Sequence, residues 1–281
     1  MTMIDAHQHF WQLARGDYRF PRGDDPVLYR DFLPEDLAPQ LQAEGIESTV
    51  VVQATDTVAE THYLLELAAG TPFIAGVVGW WDPRTPGALE DILALAPAGK
   101  LVGVRPMLQG LGDISFMLER GSLSQLERIA KMGLVFDALV EPSQLASIDR
   151  ICREVPSLQV LVDHMAKPWR APAGFEGWTR DMQGLALRAN CAVKVSGFPF
   201  AAPPVGPSGA VEDLVAFLRS TFGQQRLLWG SDWPVAEREG GYHKVLTRLR
   251  ALFPEAERNA VFGDNAARIY GLPRDKTSPT T

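Results

Sequence analysis

LVGVRPMLQGLGDISFMLERGSLSQLERIAKMGLVFDALV, residues 101–140, is the stretch of sequence that decides the fold. It begins and ends with apolar runs, 101–107 and 134–140, which are rich in Val, Leu or Phe and do not alternate strictly with polar residues. That pattern is typical of parallel strands buried on both faces. Between the runs, Ser122 to Met132 has helical spacing, with Ser122 or Ser124 available to cap its start. The stretch therefore predicts a strand, a helix and a second strand.

The same alternation runs along the whole chain. Short apolar runs predict eight strands, at 3–7, 48–53, 73–79, 101–107, 134–140, 159–163, 192–196 and 227–230. Segments with helical spacing follow them, at 33–44, 61–69, 86–95, 122–132, 143–154, 175–188, 211–222 and 242–253. Eight strands, each followed by a helix, predict an α/β protein of the (β/α)8 class, a TIM barrel. A doubly wound open sheet is the runner-up, but it usually has a glycine-rich turn after its first strand, and no glycine follows this one before Gly16.

Length and composition narrow the possible partners. We expect one barrel domain over 1–272 and a polar tail over 273–281, because 281 residues suit a single barrel. The net charge of −7 argues against nucleic acid, which is bound mainly through basic patches. The chain has no signal-like segment and no run of about 18 apolar residues, so we expect a cytoplasmic protein with no membrane span. Cys152 and Cys191 are far apart and are expected to be small buried hydrophobes.

Polar side chains follow three of the predicted strands. Catalytic groups of a barrel lie at these carboxyl ends. His7 and His9 end the first strand, two residues apart, so both imidazoles can point into the mouth. His164 ends the sixth strand, and Asp232 follows the eighth. Each has an ordinary alternative: an exposed loop for the His pair, a hydrogen-bonded core position for His164, and a turn or helix cap for Asp232.

Taken together, these residues predict one site. In a closed barrel the first and eighth strands are neighbours, so His7, His9 and Asp232 would be adjacent, with His164 across the mouth. Neutral imidazoles can bind a divalent ion of the zinc type or donate hydrogen bonds to a carbonyl oxygen. A carboxylate among them can act as a general base or as a metal ligand.

The sequence resembles the amidohydrolase superfamily, and more closely its sugar-lactonase branch. The resemblance runs in order from one end of the chain to the other. The motifs that carry it are IDAHQHFW (4–11), RDFLPEDL (30–37), GVVGW (76–80), DHMAKP (163–168), WGSDWP (229–234) and NAARIYGL (265–272). It implies a barrel hydrolase that opens a sugar-acid lactone of the L-fucono- or L-rhamnono- type.

Two positions depart from the binuclear members of that superfamily. These members have a bridging Lys or Glu on strand four and a His on strand five, whereas this chain has Arg105 and Asp137 there. A protonated guanidinium cannot ligate a metal. We therefore expect either no required cofactor or one divalent ion on His7, His9, His164 and Asp232, and the resemblance allows both.

Other residues at the strand ends are expected to bind substrate. Arg105 could pair with substrate oxygens, or with Asp137 or Asp163 inside the protein. Gln53 and Ser196 could orient hydroxyl groups. Some of Trp80, Trp81 and Trp233 are expected to stack against a sugar ring, although buried tryptophans are more often core. Lys194 is either a partnered core lysine or a substrate contact.

These residues suggest how a lactone would be hydrolysed. Asp232 would take a proton from the attacking water, and His7, His9 and His164 would stabilise the oxyanion, directly or through one metal ion. A lactone isomerase or a metal-dependent decarboxylase on the same barrel are the alternative enzymes, and a non-catalytic binding barrel is the alternative outside catalysis. The sequence does not fix which lactone is used or the oligomeric state.

Overall fold

The computed structural model describes residues 2–171, 174–200 and 211–273. Its strands form one sheet in the order β1 to β8, and every pair of sequence neighbours is parallel. The strands are β1 (Met3–Gln8), β2 (Ile46–Val52), β3 (Ile74–Gly79), β4 (Leu101–Val104), β5 (Val135–Ala138), β6 (Val160–Val162), β7 (Cys191–Val195) and β8 (Leu227–Trp229). The predicted (β/α)8 barrel is confirmed.

The sheet closes between β1 and the segment that follows β8. The backbone N–H of Asp232 donates to the His7 carbonyl over 2.8 Å, and that of His9 donates to the Trp233 carbonyl over 2.7 Å. These bonds join the first and last strands at the carboxyl end of the barrel. The same contacts bring the two ends of the sequence that carry the predicted site side by side.

Helices fill the connections between the strands. They are α1 (Pro34–Glu44), α2 (Val58–Gly70), α3 (Ala88–Leu95), α4 (Arg120–Lys131), α5 (Leu145–Glu154), α6 (Gly174–Ala186), α7 (Val211–Phe222) and α8 (Tyr242–Ala251). The start predicted for α4 is wrong, because Glu119 is its N-cap and Ser122 lies buried in the first turn. Neither serine caps that helix.

Two short helices after α8 were not expected from the sequence. α9 (Glu255–Asn259) and α10 (Asn265–Ile269) are joined by a π-helical turn, Ala260–Asp264. Residues of α10 and just after it, including Tyr270 and Leu272, pack with the side chains inside the barrel. They close the amino end of the barrel, where an added Cβ at Gly263 would lie 1.9 Å from the Thr2 carbonyl oxygen.

A bulge near the end of β1 turns His7 toward the interior. Ile4 and Ala6 belong to the cluster inside the barrel. The pairing of β1 with β2 shifts register between Asp5 and Gln8, so His7 faces inward directly after Ala6. Asp5 instead accepts the His7 backbone N–H over 3.1 Å. Side chains along a strand alternate between its two faces, which predicts His7 and His9 on one face. The bulge interrupts this alternation, so Asp5 does not share that face.

Other expectations concern the rest of the chain. Cys152 and Cys191 are buried and unpaired, as expected. Among the described helices, none combines the length and apolar character needed to cross a membrane. Residues 274–281 of the predicted tail lie outside the described residues, as do residues 201–210. The single-domain boundary at 272 stays a prediction.

Candidate active site

Three imidazoles and one carboxylate meet at the carboxyl end of the barrel. The Nε2 atoms of His7 and His9 are 3.2 Å apart. Asp232 Oδ1 lies 3.3 Å from His9 Nε2 and 3.7 Å from His7 Nε2. The same oxygen lies 3.9 Å from His164 Nε2. The structure therefore brings together the four residues that the sequence placed at the ends of three different strands.

Two backbone features position Asp232: its own left-handed conformation and the close approach of Gly230 to His7. Asp232 has φ +58°, a conformation that non-glycine residues rarely adopt. Its N–H bond to the His7 carbonyl holds this conformation. Two residues earlier, an added Cβ on Gly230 would lie 2.6 Å from His7 Cβ. Only glycine allows β8 to pass this close to the His7 side chain.

The segment after β6 positions His164. Residues 164–167 have φ between +51° and +55°, so they form one left-handed turn. His164 Nδ1 is hydrogen-bonded to Ser196 Oγ over 2.9 Å. An added Cβ at Gly197 would lie 2.4 Å from that nitrogen. Ser196, predicted to orient a substrate hydroxyl, is buried and hydrogen-bonds to the His164 ring.

The hydrogen bond of His9 fixes which of its ring nitrogens carries the proton. His9 Nδ1 lies 2.7 Å from the Val52 carbonyl oxygen. A carbonyl oxygen only accepts, so Nδ1 must carry the hydrogen. His9 Nε2 then faces Asp232 and His7, and a ring whose other nitrogen donates to a carbonyl oxygen is the arrangement of a metal-ligating histidine.

The electrostatics keep His7 and His164 neutral and Asp232 charged at pH 7. Burial lowers the pKa of His7 well below its usual value, and the Lys194 ammonium lowers it further. Burial also lowers the pKa of His164 to about 4. Burial acts to raise the pKa of Asp232, but the surrounding imidazoles, His164 foremost, outweigh it and hold that pKa below its ordinary value. The cluster thus combines neutral imidazoles with an ionised carboxylate.

A buried charge network lies beneath this cluster. Lys194 Nζ is 2.5 Å from Asp137 Oδ2, 3.1 Å from Asp163 Oδ1 and 3.2 Å from His7 Nδ1. The Tyr270 hydroxyl donates to Asp137 from the closed amino end, over 2.8 Å to Oδ2. Of the two alternatives for Lys194, the structure supports a partnered core lysine. Asp163 also lies 3.4 Å from His7 Nδ1, so that nitrogen faces both a donor and an acceptor.

Arg105 is paired inside the protein. Its Nη1 lies 3.2 Å from Asp163 Oδ2 and 3.4 Å from His7 Nε2, and its Nη2 donates to the Gln53 carbonyl oxygen. The Gln53 side chain donates in turn to the Arg105 carbonyl oxygen over 2.9 Å. Gln53 and Arg105 therefore connect β2 to β4, and neither lines the described cavities at the mouth.

The donor set fits one divalent ion. His7, His9 and Asp232 offer ligand atoms within 4.8 Å of one another, and His7, Asp163 and His164 form a second such group. His9 Nε2 already points into the first group. The cationic side chains of Arg105 and Lys194 occupy the space under His7 that a second ion would need.

The three tryptophans lie in different environments. Trp81 and Trp233 are buried, and their indole N–H groups donate to Gln125 and Glu237. Stacking on a sugar ring does not fit this packing, because neither indole borders a described cavity. Trp80 is only partly buried and does line one.

Two cavities open at the mouth. One, of about 260 Å³, is bordered by the segments after β6, β7 and β8; its lining includes His164, Lys167, Trp169, Phe198, Asp232 and Arg238. The other, of about 360 Å³, is bordered by Trp80, Asp82, Met107 and Gln109 among others. Lys167 Nζ donates to the Gln109 side-chain oxygen, so a lysine from one cavity contacts a glutamine from the other. Burial lowers the pKa of Lys167 to about 8.

Sequence reasoning missed several members of this site. Lys167 was quoted only within the DHMAKP motif and Tyr270 only within NAARIYGL, and Asp163 was named as a possible partner of Arg105 but not of His7 or Lys194. A charged residue within an apolar run was the available signal for Asp163, as it was for Lys194. No local signal marks Tyr270, since its partner Asp137 is 133 residues away.

The fold and the cluster define the chain as a TIM-barrel enzyme with a histidine–aspartate site at the carboxyl end of its strands. The chain belongs to the amidohydrolase family, whose sequence model matches residues 4–272.

Two curated relatives and one solved structure extend the likeness over nearly the whole chain. An L-fucono-1,5-lactonase of Burkholderia ambifaria is 40% identical, covering 96% of each chain. An L-fucono-1,5-lactonase of Burkholderia multivorans is 32% identical, again covering 96% of each. A crystal structure of an amidohydrolase from Burkholderia multivorans with bound zinc superposes with a TM-score of 0.86 at 32% identity, covering 97% of this chain and 100% of that one.

Proposed function

We propose that this enzyme hydrolyses the ring ester of a sugar-acid lactone of the L-fucono- or L-rhamnono-1,5-lactone type. The observation that carries the proposal is an ionised Asp232 that faces three imidazoles and borders a cavity of about 260 Å³. The two relatives named as L-fucono-1,5-lactonases support the substrate class. Lactone opening needs a base for water and donors for the carbonyl oxygen, and the cluster contains both.

In the proposed reaction, Asp232 takes a proton from a water molecule as its oxygen bonds to the lactone carbonyl carbon. His164 can donate to the resulting oxyanion from Nε2, since the Ser196 hydroxyl can donate to its Nδ1, whereas His7 and His9 would act on the oxyanion through a bound ion. The bond from this carbon to the ring oxygen then breaks. Asp232 returns its proton to that oxygen, which leaves as an alcohol. The product is one open-chain hydroxy acid, and Asp232 is ionised again.

A divalent ion of the zinc type is compatible with the same residues. His7, His9, His164 and Asp232 would hold it, and when bound it would act as a Lewis acid toward the carbonyl oxygen. We expect at most one equivalent per chain, because Arg105 and Lys194 fill the space for a second. Elemental analysis that finds two tightly held equivalents would contradict this expectation.

The guanidinium groups near the first cavity have carboxylate partners within the chain. A dicarboxylate or an aromatic acid would need an unpaired cation to bind it, preferably a guanidinium. Each guanidinium group at or below the first cavity is already paired with a carboxylate of the chain: Arg105 with Asp163, Arg170 with Glu141 and Arg238 with Asp25. Among the described residues of this cavity, Lys167 is then the cation without a carboxylate partner, so the arginines there are not available to a substrate carboxylate.

The decisive test is a panel of hexonic and pentonic 1,5-lactones, assayed for acid release with and without a chelator. Asp232→Asn keeps the shape of the side chain and removes the base. We expect it to lower kcat by at least ~10³-fold, within the range that general-base catalysis contributes. Asp91→Asn, on the exposed surface of α3, is the matched control and should retain wild-type activity.

Other outcomes would redirect the proposal. Wild-type rates in Asp232→Asn would remove Asp232 as the base. Release of carbon dioxide from aromatic acids, with no acid release from lactones, would favour the decarboxylase alternative, and conversion of a lactone to an isomer would favour the isomerase. The cytoplasmic location and the lack of a nucleic-acid partner stay predictions from sequence.

A further inference from the structure

The turn after β6 brings a second polar side chain to the cavity beside His164. In a turn with three residues per repeat, side chains at i and i+3 lie on the same side. The turn from His164 to Lys167 has this form, and the Lys167 N–H donates to the His164 carbonyl over 2.8 Å. Accordingly, His164 and Lys167 both line the cavity, whereas Met165 and Ala166 between them are buried in the core.

This left-handed turn is unfavourable by itself and is held by its surroundings. Each non-glycine residue in the left-handed region is unfavourable because its Cβ crowds the backbone, and four follow one another here. Trp178 Nε1 donates to the Met165 carbonyl over 2.8 Å. Such conformations persist where the surrounding structure determines them, and they cluster at functional sites. The turn therefore fixes where the Lys167 ammonium lies.

Lys167 differs from the other buried lysine in its partners. Lys194 is bound by two carboxylates, at 2.5 and 3.1 Å. No carboxylate of the described residues lies within 4.0 Å of the Lys167 ammonium, and its one described side-chain partner is the neutral amide oxygen of Gln109. An ammonium has three N–H donors, so two remain for another acceptor. The cavity next to Asp232 is where such an acceptor would lie.

We propose that Lys167 is a substrate-binding residue that selects hydroxylated lactones. Its ammonium donates hydrogen bonds to a hydroxyl oxygen on the lactone ring and thereby orients the ester carbon toward Asp232. The inference rests on the proposed lactonase function and adds to it the residue that distinguishes a sugar lactone from an unsubstituted one. Because the proposed substrate is neutral, a ring hydroxyl oxygen is an acceptor that it offers to the two remaining N–H donors of this ammonium.

The test compares two substrates in two variants. Lys167→Met keeps the length of the side chain and removes its donors. The substrates are L-fucono-1,5-lactone and δ-valerolactone, which has the same ring without hydroxyl groups. For δ-valerolactone we measure kcat/KM. Where its turnover is too slow, we measure its inhibition constant as a competitive inhibitor instead. Lys131→Met, at the exposed end of α4, is the matched control.

We expect Lys167→Met to lower kcat/KM for the sugar lactone by ~10- to 100-fold, the usual effect of losing a charged hydrogen bond. The kcat/KM or inhibition constant for δ-valerolactone should change less than about twofold. Lys131→Met should match wild type with both lactones. Lys167→Gln, which keeps an N–H donor without charge, should show the same selective loss to a smaller degree and serves if the Met variant does not fold.

Two results would overturn the inference, and they are distinguishable. If wild type hydrolyses the sugar lactone and both Lys167 variants lose activity equally toward both compounds, or lose none, Lys167 is not a hydroxyl-binding residue and the proposed function stands. If wild type releases no acid from any lactone, the proposed function fails and the role of Lys167 fails with it.

Discussion

Each imidazole at the mouth is oriented by a partner at the nitrogen that points away from Asp232. His9 uses the Val52 carbonyl, and His164 uses the Ser196 hydroxyl. Such partners fix the ring orientation and its tautomer, and they often matter nearly as much as the groups that meet the substrate. The orientation of the imidazoles is therefore a property of residues behind the rings as well as of the rings themselves.

Replacing Ser196 tests this positioning role. Ser196→Ala removes the hydroxyl at 2.9 Å from His164 Nδ1 and leaves the ring free to rotate. We expect kcat/KM for the lactone to fall by ~10- to 100-fold, as is typical of losing an orienting partner. Circular dichroism should still report a folded protein. Ser220→Ala, on the exposed surface of α7, is the control and should leave the rate unchanged. Equal rates in all three proteins would mean that Ser196 does not orient His164.

At this scale the sequence predicts the reactive side chains better than their partners. His7, His9, His164 and Asp232 are recognisable because each stands at the end of an apolar run. Ser196 was expected to meet substrate because it also ends a strand, but its hydroxyl bonds to His164. The type of a residue and its place on a strand do not specify which of two polar neighbours it contacts.

At the scale of single elements, the site depends on departures from regular strands. β1 bulges at His7, and a left-handed turn follows β6. Sequence patterns predict the strands because burial on both faces requires apolar runs. They do not predict these departures, because a bulge depends on how β1 pairs with β2 and the turn depends on packing against Trp178.

Gly230 tests how closely β8 must approach β1. Gly230→Ala would place a methyl carbon 2.6 Å from His7 Cβ, so the two strands must separate or the imidazole must shift. We expect a loss of about 1–3 kcal/mol in the free energy of unfolding, typical of overpacking, with at least a ~10-fold fall in kcat/KM. Urea titration and lactone kinetics measure the two effects.

A second glycine provides the control for that experiment. Gly184 lies within α6, and an added Cβ there meets no atom within 4 Å. Alanine in a helix interior is favoured over glycine by roughly 0.5–1 kcal/mol. Gly184→Ala should therefore keep full activity and be slightly more stable. Wild-type stability and activity in Gly230→Ala would show that the close approach is not required.

At the scale of the whole molecule, the barrel contains several ionisable groups in its interior. Asp137, Asp163 and Lys194 are fully buried and bonded to one another. Burial of unpaired charges costs several kcal/mol, whereas a fully bonded network is tolerated. The overall barrel could be predicted from periodicity, but these pairings could not, because they join strands that are distant in sequence.

Glu60 makes the stability of the whole protein depend on pH. Its carboxylate accepts the N–H groups of Ala54 and Thr55, yet burial raises its pKa to about 7. A raised carboxyl pKa means that the folded state holds the proton more tightly than the unfolded chain. This contribution to stability is therefore largest at low pH and is lost as pH rises from about 4.5 to about 7.

Glu60→Gln should remove that dependence. Between pH 5 and pH 8 we expect wild type to lose about 2–3 kcal/mol more unfolding free energy than this variant, as measured by urea titration. Glu66→Gln, on the exposed side of the same helix, is the control and should follow wild type. Parallel pH profiles for wild type and Glu60→Gln would contradict the raised pKa.

The closed amino end of the barrel has a consequence for synthesis of the protein. Tyr270 holds Asp137, which holds Lys194, which contacts His7 at the opposite end. A ribosome translates all eight strands before it reaches α10. A nascent chain that has emerged only as far as β8 therefore lacks the Tyr270 phenol, and this series of contacts is complete only after residue 270 has left the exit tunnel.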